Sequence, residues 1–473
     1  MFALRDGVMC YYSEQACRGI VYCNIAFEVG DVGGEAEMLL PLLASAITGL
    51  GTSDIPYHLM SHQIGLVFGG LRTDLEVADH AETQNPHAVI WMKSRFLVQY
   101  ADEALPLLDQ LLCQANFADH TRLREIMLEM RNDYRASIVQ NGSAYAGLRA
   151  EAGLSTLEEK EERLKGISQY QYLDAVLAQP VEKVAAALEK LRDGVIRSCR
   201  SEVQLTCDPE HRRSMQDKLP ALMVNLWSRD YTDIPSLSVV SDFKLLPLPS
   251  VDQPESLVTT TSVNYLAMAF PGALVFQPGF AAQSLISHLL STGYLWERCR
   301  MRGGAYGASA GVHGLSGIFR FITYRDPQTA RTLEAFFESF DFMSKQMPSD
   351  DLIETGIIAL VGKELRPMNP GAKGLLAYRR HRFGITDDLR QENRDRLLAL
   401  GQEDLRAELQ LLNSAMQRGV LSMLVSPQAL SEYGQAAELQ ANESQAAAQD
   451  SQQPSVEWLL RRAAVNQHVV VSA

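Results

Sequence analysis

Residues 295–324, LWERCRMRGGAYGASAGVHGLSGIFRFITY, decide how the rest of the chain is read. They pass from a helical run through Gly303–Gly304 into two short runs that read as strands, Ala305–Val312 and Gly317–Tyr324, divided by the turn HGLS. Working outward, SVNYLAMAF (262–270) reads as a strand and Ala281–Arg302 as a helix before the glycines. Helices are expected at Gln328–Met343 and Ser349–Gly362 after the second strand.

The same order occurs earlier in the chain. GIVYCNIAFEV (19–29) reads as a strand, and Leu39, Leu42, Leu43 and Ile47 give Glu35–Thr48 a helical period. A second glycine pair, Gly69–Gly70, precedes a strand at His87–Phe96. There Val89, Trp91, Lys93 and Arg95 alternate with Ile90, Met92 and Phe96. Helices at Ala101–Ala115 and Thr121–Val139 follow. The two glycine pairs are 234 residues apart, and the elements after them keep nearly that offset. Self-similarity on this scale predicts a duplicated α+β domain rather than a short repeat. The expected organisation is a domain over 1–235, a linker over 236–261, a second domain over 262–432 and a low-complexity tail over 433–473. The linker contains three prolines in SLSVVSDFKLLPLPSVDQP, and the tail is rich in Gln, Ala, Glu and Ser.

Composition narrows the functional class. Of 473 residues, 46% are hydrophobic and 21% charged, as in ordinary globular proteins. A formal charge of −14 without a long basic block argues against nucleic acid or an anionic membrane as a partner. Seven cysteines without CxxC spacing read as reduced thiols, and the start MFALRDGVMCYYSEQ has no basic-then-apolar signal pattern. The expected location is therefore cytoplasmic.

Arg300 and Tyr306 are the residues of chemical interest. A guanidinium offers a planar fork of donors suited to carboxylates and peptide carbonyls, and a phenol offers a donor on a rigid ring. Such a pair grips a peptide and cannot hydrolyse one. Asp326 and Pro327 read as the N-cap and first turn of the following helix. Arg325 is either structural or substrate-facing, and His313 in the turn reads as simply exposed. Gly303, Gly304 and Gly307 follow a helix and precede a strand, the reverse of a phosphate loop. His58 and His62 are four residues apart, but Ser61 stands where an inverted zinc-peptidase motif requires glutamate. The pair is read as coincidental, and no metal ligand is assigned.

LWERCRMRGGAYGASAG and GIFRFITYRDP, within residues 295–327, resemble the signature of the C-terminal half of presequence proteases, a branch of the pitrilysin/insulinase family of metallopeptidases. Residues 19–70 and 138–155 resemble that branch's third domain, and 263–270 and 369–398 its fourth. The resemblance implies two homologous pitrilysin/insulinase-type domains, each a mostly antiparallel sheet with helices packed on one face. It implies that Arg300 anchors substrate backbone and that Tyr306 donates to the scissile carbonyl, with Gly303, Gly304 and Arg325 at the substrate-binding loop. In the family, four such domains form two bowl-like halves around a closed chamber, and the other half carries a His-x-x-Glu-His zinc site. That motif does not occur in these residues. The expectation is a non-catalytic, substrate-binding half, without a cofactor of its own, that completes the site of a zinc-bearing chain and acts on unfolded peptides. The alternatives are an inert structural or peptide-binding module, or a fragment of an interrupted peptidase gene.

Overall fold

The computed structural model describes residues 1–5, 8–30, 32–198, 200–226, 237–241, 243–431 and 455–470. Residues 433–454 and 471–473 of the expected tail, and 236 and 242 of the linker, lie outside these. Two compact units form. The first comprises Met1–Asp133, Arg163–Leu245 and Pro367–Gly384; the second comprises Tyr134–Glu162, Leu246–Arg366 and Ile385–Ala473. Neither is a continuous stretch of sequence.

The first unit has strands β1 (Phe2–Arg5), β2 (Val8–Glu14), β3 (Ile20–Val29), β4 (Phe68–Ala78), β5 (His87–Leu97) and β6 (Arg200–Cys207) in the order β1-β2-β6-β3-β5-β4. Only β2 and β6 run parallel. The second has β7 (Glu255–Val258), β8 (Tyr265–Pro271), β9 (Gly307–His313), β10 (Ile318–Tyr324), β11 (Val420–Val425) and β12 (Gln467–Val469) in the order β12-β7-β11-β8-β10-β9. Here β7 is parallel to both β11 and β12. From β2 or β7 inward the two orders match, so the duplicated reading is visible as topology.

Strand alternation sorts side chains to two faces. On one face of the second sheet, Leu266, Met268, Phe270, Phe319, Phe321, Leu421 and Met423 are buried in the main core. Helices Gly279–Thr292, Thr329–Lys345 and Gln402–Met416 cover them with Leu285, Phe336, Phe340 and Leu409. The Phe321 and Phe336 rings stack at 4.8 Å, and Phe270 and Phe319 at 5.3 Å. In the first unit Ile25, Phe27, Met92, Val203 and Leu205 are buried on the matching face. Leu43, Leu108 and Leu188 are buried on helices Leu40–Gly49, Ala101–Gln114 and Val181–Ser198 of the same unit.

The opposite face of each sheet carries one helix, supplied by a segment distant in sequence. Gly142–Ala152 lies on the second sheet, and a Cβ at Gly142 would overlap the Tyr265 ring. Pro370–Arg382 lies on the first, where a Cβ at Gly371 would overlap the Tyr22 ring. Glycine lets the helix backbone rest directly on an aromatic face. An arginine fastens each helix to a buried glutamate: Arg149 to Glu255, and Arg382 to Glu202 at 3.0 Å.

Two segments differ from their sequence reading. Glu255–Val258, within the expected linker, is the buried strand β7, because Arg149 neutralises its leading carboxylate. In the expected tail, Val456–Val465 is a helix that buries Leu459, Leu460 and Ala463, and β12 pairs with β7. Among the described residues, no helix is long and apolar enough to cross a membrane.

Candidate functional site

Arg300 and Tyr306 are placed by a helix end and a strand start. The expected single helix over Ala281–Arg302 ends at Thr292, and Trp296–Arg302 forms a wider, π-type turn. Such turns re-aim side chains at functional positions. The turn closes at Gly304, whose φ of +80° is left-handed, with Gly304 N–H donating to the Arg300 carbonyl at 3.0 Å. Gly303 is required for space: a Cβ there would stand 2.5 Å from the Cys299 carbonyl oxygen.

Beyond the glycines, Tyr306 N–H donates to the Arg325 carbonyl at 3.3 Å, which starts the β9–β10 pairing. Tyr306 is 68% exposed. Its ring meets Tyr324 edge-on at 5.8 Å, and Tyr324 in turn meets Tyr265 at 5.6 Å. The Arg300 guanidinium carbon is 5.9 Å from the centroid of the Tyr306 ring. Among the described residues, neither the guanidinium nor this phenol has a protein hydrogen-bond partner. The structure thus brings Arg300, Tyr306, Gly303 and Gly304 together as an exposed donor pair on a glycine-shaped loop.

Arg325 adjoins them. Its φ of +52° is unusual for a side chain of this size, and its guanidinium carbon lies 5.5 Å from the centroid of the Tyr324 ring. Sequence reasoning misses Tyr265 and Tyr324. The only signal for them is two tyrosines placed in otherwise apolar strands. Burial is the main cause that raises the Tyr265 phenol above its ordinary range, so it stays neutral.

Asp326 differs from its expected capping role. The next helix begins at Thr329 with Gln328 at the cap position; Asp326 Oδ1 accepts from Gln328 N–H at 2.8 Å, ahead of the helix. Asp326 is fully buried, and the burial raises its carboxyl pKa. His313, expected to be only exposed, has Nδ1 2.5 Å from Glu158 Oε1, with Ser316 Oγ at 2.8 Å. Glu158 is buried and comes from the Thr156–Lys165 helix.

The zinc chemistry of the resembled family can be tested against this chain's residues. His58 and His62 sit on the exposed face of the Tyr57–Val67 helix. They belong to no cluster of three His, Cys, Asp or Glu ligands among the described residues. The pair does not fit a zinc site. Arg300 and Tyr306 offer hydrogen-bond donors and positive charge, but no base.

Two family profiles match the chain. The profile of the domain associated with peptidase family M16, subfamily C, covers residues 3–176, and that of the "PreP C-terminal domain" covers 254–426. Presequence protease 1, chloroplastic/mitochondrial, of Arabidopsis thaliana is 25% identical over 427 residues, covering 89% of this chain and 38% of that protein. The mitochondrial presequence protease of Kluyveromyces lactis is 26% identical, covering 78% and 38%. The chain thus spans about two-fifths of the length of these relatives. A peptidase M16 inactive domain from Pseudomonas fluorescens superposes with a TM-score of 0.58 at 14% identity, covering 89% of this chain and 96% of that one. Pitrilysin superposes with a TM-score of 0.57 at 12% identity, covering 89% and 42%. At these identities the solved structures establish the fold alone. With both profiles falling on one polypeptide in this order, the chain belongs to the pitrilysin family of peptidases and corresponds to the C-terminal half of a presequence-protease-like member.

Proposed function

We propose that this chain is the substrate-binding, non-catalytic half of a presequence-protease-like zinc endopeptidase that degrades unfolded peptides. In this reading the zinc-bearing half lies outside these 473 residues, and zinc held there supplies Lewis acidity and an activated water. Arg300 holds substrate backbone by forked hydrogen bonds. Tyr306 donates to the carbonyl oxygen of the scissile bond as negative charge develops on it. The observation that carries the reading is the exposed Arg300–Tyr306 pair, unpaired within the described residues, in a chain matched by the presequence-protease C-terminal profile. The six described cysteines are all free thiols, which supports a reducing, cytosol-like compartment as part of the proposal.

The test is reconstitution with a chain bearing His-x-x-Glu-His, using a fluorogenic unfolded peptide. The chain alone should cleave nothing, and the pair should cleave. Tyr306→Phe should lower kcat by about 10²-fold, the scale for loss of one oxyanion donor. Metal-dependent cleavage by this chain alone, or full activity in Tyr306→Phe, overturns the reading.

A further inference from the structure

The first unit contains a second arginine–tyrosine pair. Tyr22 on β3 and Arg95 on β5 are direct cross-strand partners on the face that carries the Pro370–Arg382 helix. Gly70 of β4 is the partner of Arg95 on the other side. A Cβ at Gly70 would come within 2.8 Å of Arg95 Nε, so glycine lets the guanidinium lie across the strand, where Nε donates to the Gly69 carbonyl at 2.8 Å. Among the described residues, the terminal nitrogens of Arg95 and the Tyr22 hydroxyl have no hydrogen-bond partner.

Two hollows meet at this pair. One, of about 380 Å³, is cationic, lined by Asn24, Arg72, Lys93 and Asn369 together with Tyr22 and Arg95. Lys93 Nζ and Arg72 Nε both contact Asp74 Oδ2, at 2.9 and 3.1 Å. Arg72 and Lys93 thus share one carboxylate, and Arg95 has no carboxylate partner among the described residues, so positive charge is left over. The other hollow, of about 420 Å³, is apolar, lined by Ile20, Leu66, Phe68, Leu97 and Tyr100 and sharing Tyr22 and Arg95. Leu66 is 65% exposed in it. Alongside runs β4, which among the described residues is an edge strand paired only with β5. Such an edge can accept one more strand.

A carboxylate and an apolar side chain attached to one Cα would fill both hollows at once. We infer that this is a peptide-binding subsite that takes the free C-terminal carboxylate of an unfolded peptide ending in an apolar residue. Arg95 forks onto the carboxylate, Lys93 adds charge, and the terminal side chain enters the apolar hollow. The preceding residues lie along the open edge of β4. The inference rests on the proposed role in peptide handling and adds a preference that the Arg300–Tyr306 pair does not supply.

Fluorescence polarisation with the whole 473-residue chain tests it, using a labelled unfolded peptide of about ten residues ending in Phe, as the free acid and as the C-terminal amide. The amide should bind about tenfold more weakly, as expected for loss of a charge-assisted forked contact. Arg95→Gln should make acid and amide equal. Leu66→Ser should weaken the Phe-ending acid but not a Gly-ending one. Arg300→Ala should weaken acid and amide alike and leave their ratio unchanged. Equal binding of acid and amide to the unaltered chain overturns the subsite while leaving peptide binding intact. Displacement by millimolar inorganic phosphate with no preference for Phe over Gly marks a bare anion site and also overturns it. Failure of every peptide to bind removes the proposed function itself.

Discussion

Arg149 holds Glu255 through two near-parallel hydrogen bonds, Nε to Oε1 at 3.0 Å and Nη2 to Oε2 at 2.7 Å, with both side chains wholly buried. Ser422 Oγ donates to the same carboxylate at 2.7 Å, and the Pro247 carbonyl accepts from Arg149. Removing Glu255 takes away the forked partner and leaves the buried guanidinium facing only Glu162, whose carboxylate is 3.5 Å from Nη1. Glu255→Ala should therefore cost roughly 3–5 kcal/mol of stability, read as a lower urea midpoint. Replacing both residues together, Arg149→Met with Glu255→Leu, should recover only part of that loss, because buried Glu162 then loses Arg149 as well.

The contact between Glu158 and His313 makes stability depend on pH. Burial disfavours both charged forms, but their mutual hydrogen bond outweighs it, so His313 is raised above 6.5 and Glu158 lowered below 4.5. Nearby, Glu151 accepts from Arg320 at 2.5 Å; its own buried carboxyl is raised, with desolvation the leading cause. The imidazolium contribution is complete below pH 6.5 and lost as pH climbs through the raised value. The Glu158 contribution is complete above pH 4.5 and lost as pH falls through the lowered one. Glu151 acts in the opposite sense to Glu158, favouring the fold most below pH 4.5. Thermal midpoints should drop by a few degrees between about pH 6.5 and 9, in keeping with about 1 kcal/mol for a half-exposed ion pair. His313→Gln should flatten most of that slope in differential scanning fluorimetry.

Gly304 carries a cost that any side chain would meet. At φ +80°, Gly304→Ala should lose about 1–2 kcal/mol and shift the loop that presents Tyr306. Gly303→Ala should be worse, since its Cβ must displace the Cys299 carbonyl. Chemical denaturation orders the two variants.

Tyr306→Phe and Arg300→Ala should leave the thermal midpoint within about 1 °C, because exposed side chains without protein hydrogen-bond partners contribute little to stability. Their effects should be confined to peptide handling. In the reconstituted enzyme, Arg300→Ala should chiefly raise KM and Tyr306→Phe chiefly lower kcat. A large stability loss in either variant would make the pair structural.

The strands that were legible in the sequence are those whose faces are apolar throughout or cleanly alternating. β3, β5, β8 and β10 announce themselves through Val, Ile and aromatic residues, and β9 was legible from its place between the glycine pair and the turn HGLS. β4 (FGGLRTDLEVA) does not, because its charged side chains find partners on other elements: Lys93 pairs with Asp74, and Arg379 pairs with Glu76. β7 starts with a carboxylate that Arg149, 106 residues away, and Ser422 make tolerable inside a sheet. His313 looked idle because Glu158 is 155 residues distant. At the site, Arg300 and Tyr306 were legible because a local turn sets their relation. The Tyr265–Tyr324–Tyr306 row was not, since it depends on the β8–β10–β9 register. Tyr22 and Arg95 each read as one more polar position in an alternating strand, and only pairing placed them face to face.

The interleaving of the two units bears on how the polypeptide is made. When a ribosome has released residue 245, the helix Pro370–Arg382 that belongs to the first unit has not yet been synthesised. At roughly 5–20 residues per second, the polar back of that sheet waits roughly 7–27 s for its cover. During that interval the nascent protein is a substrate for chaperones and for quality-control proteases. A ribosome stalled between residues 245 and 367 should therefore leave a product that is cleared rather than one that persists as an independent half.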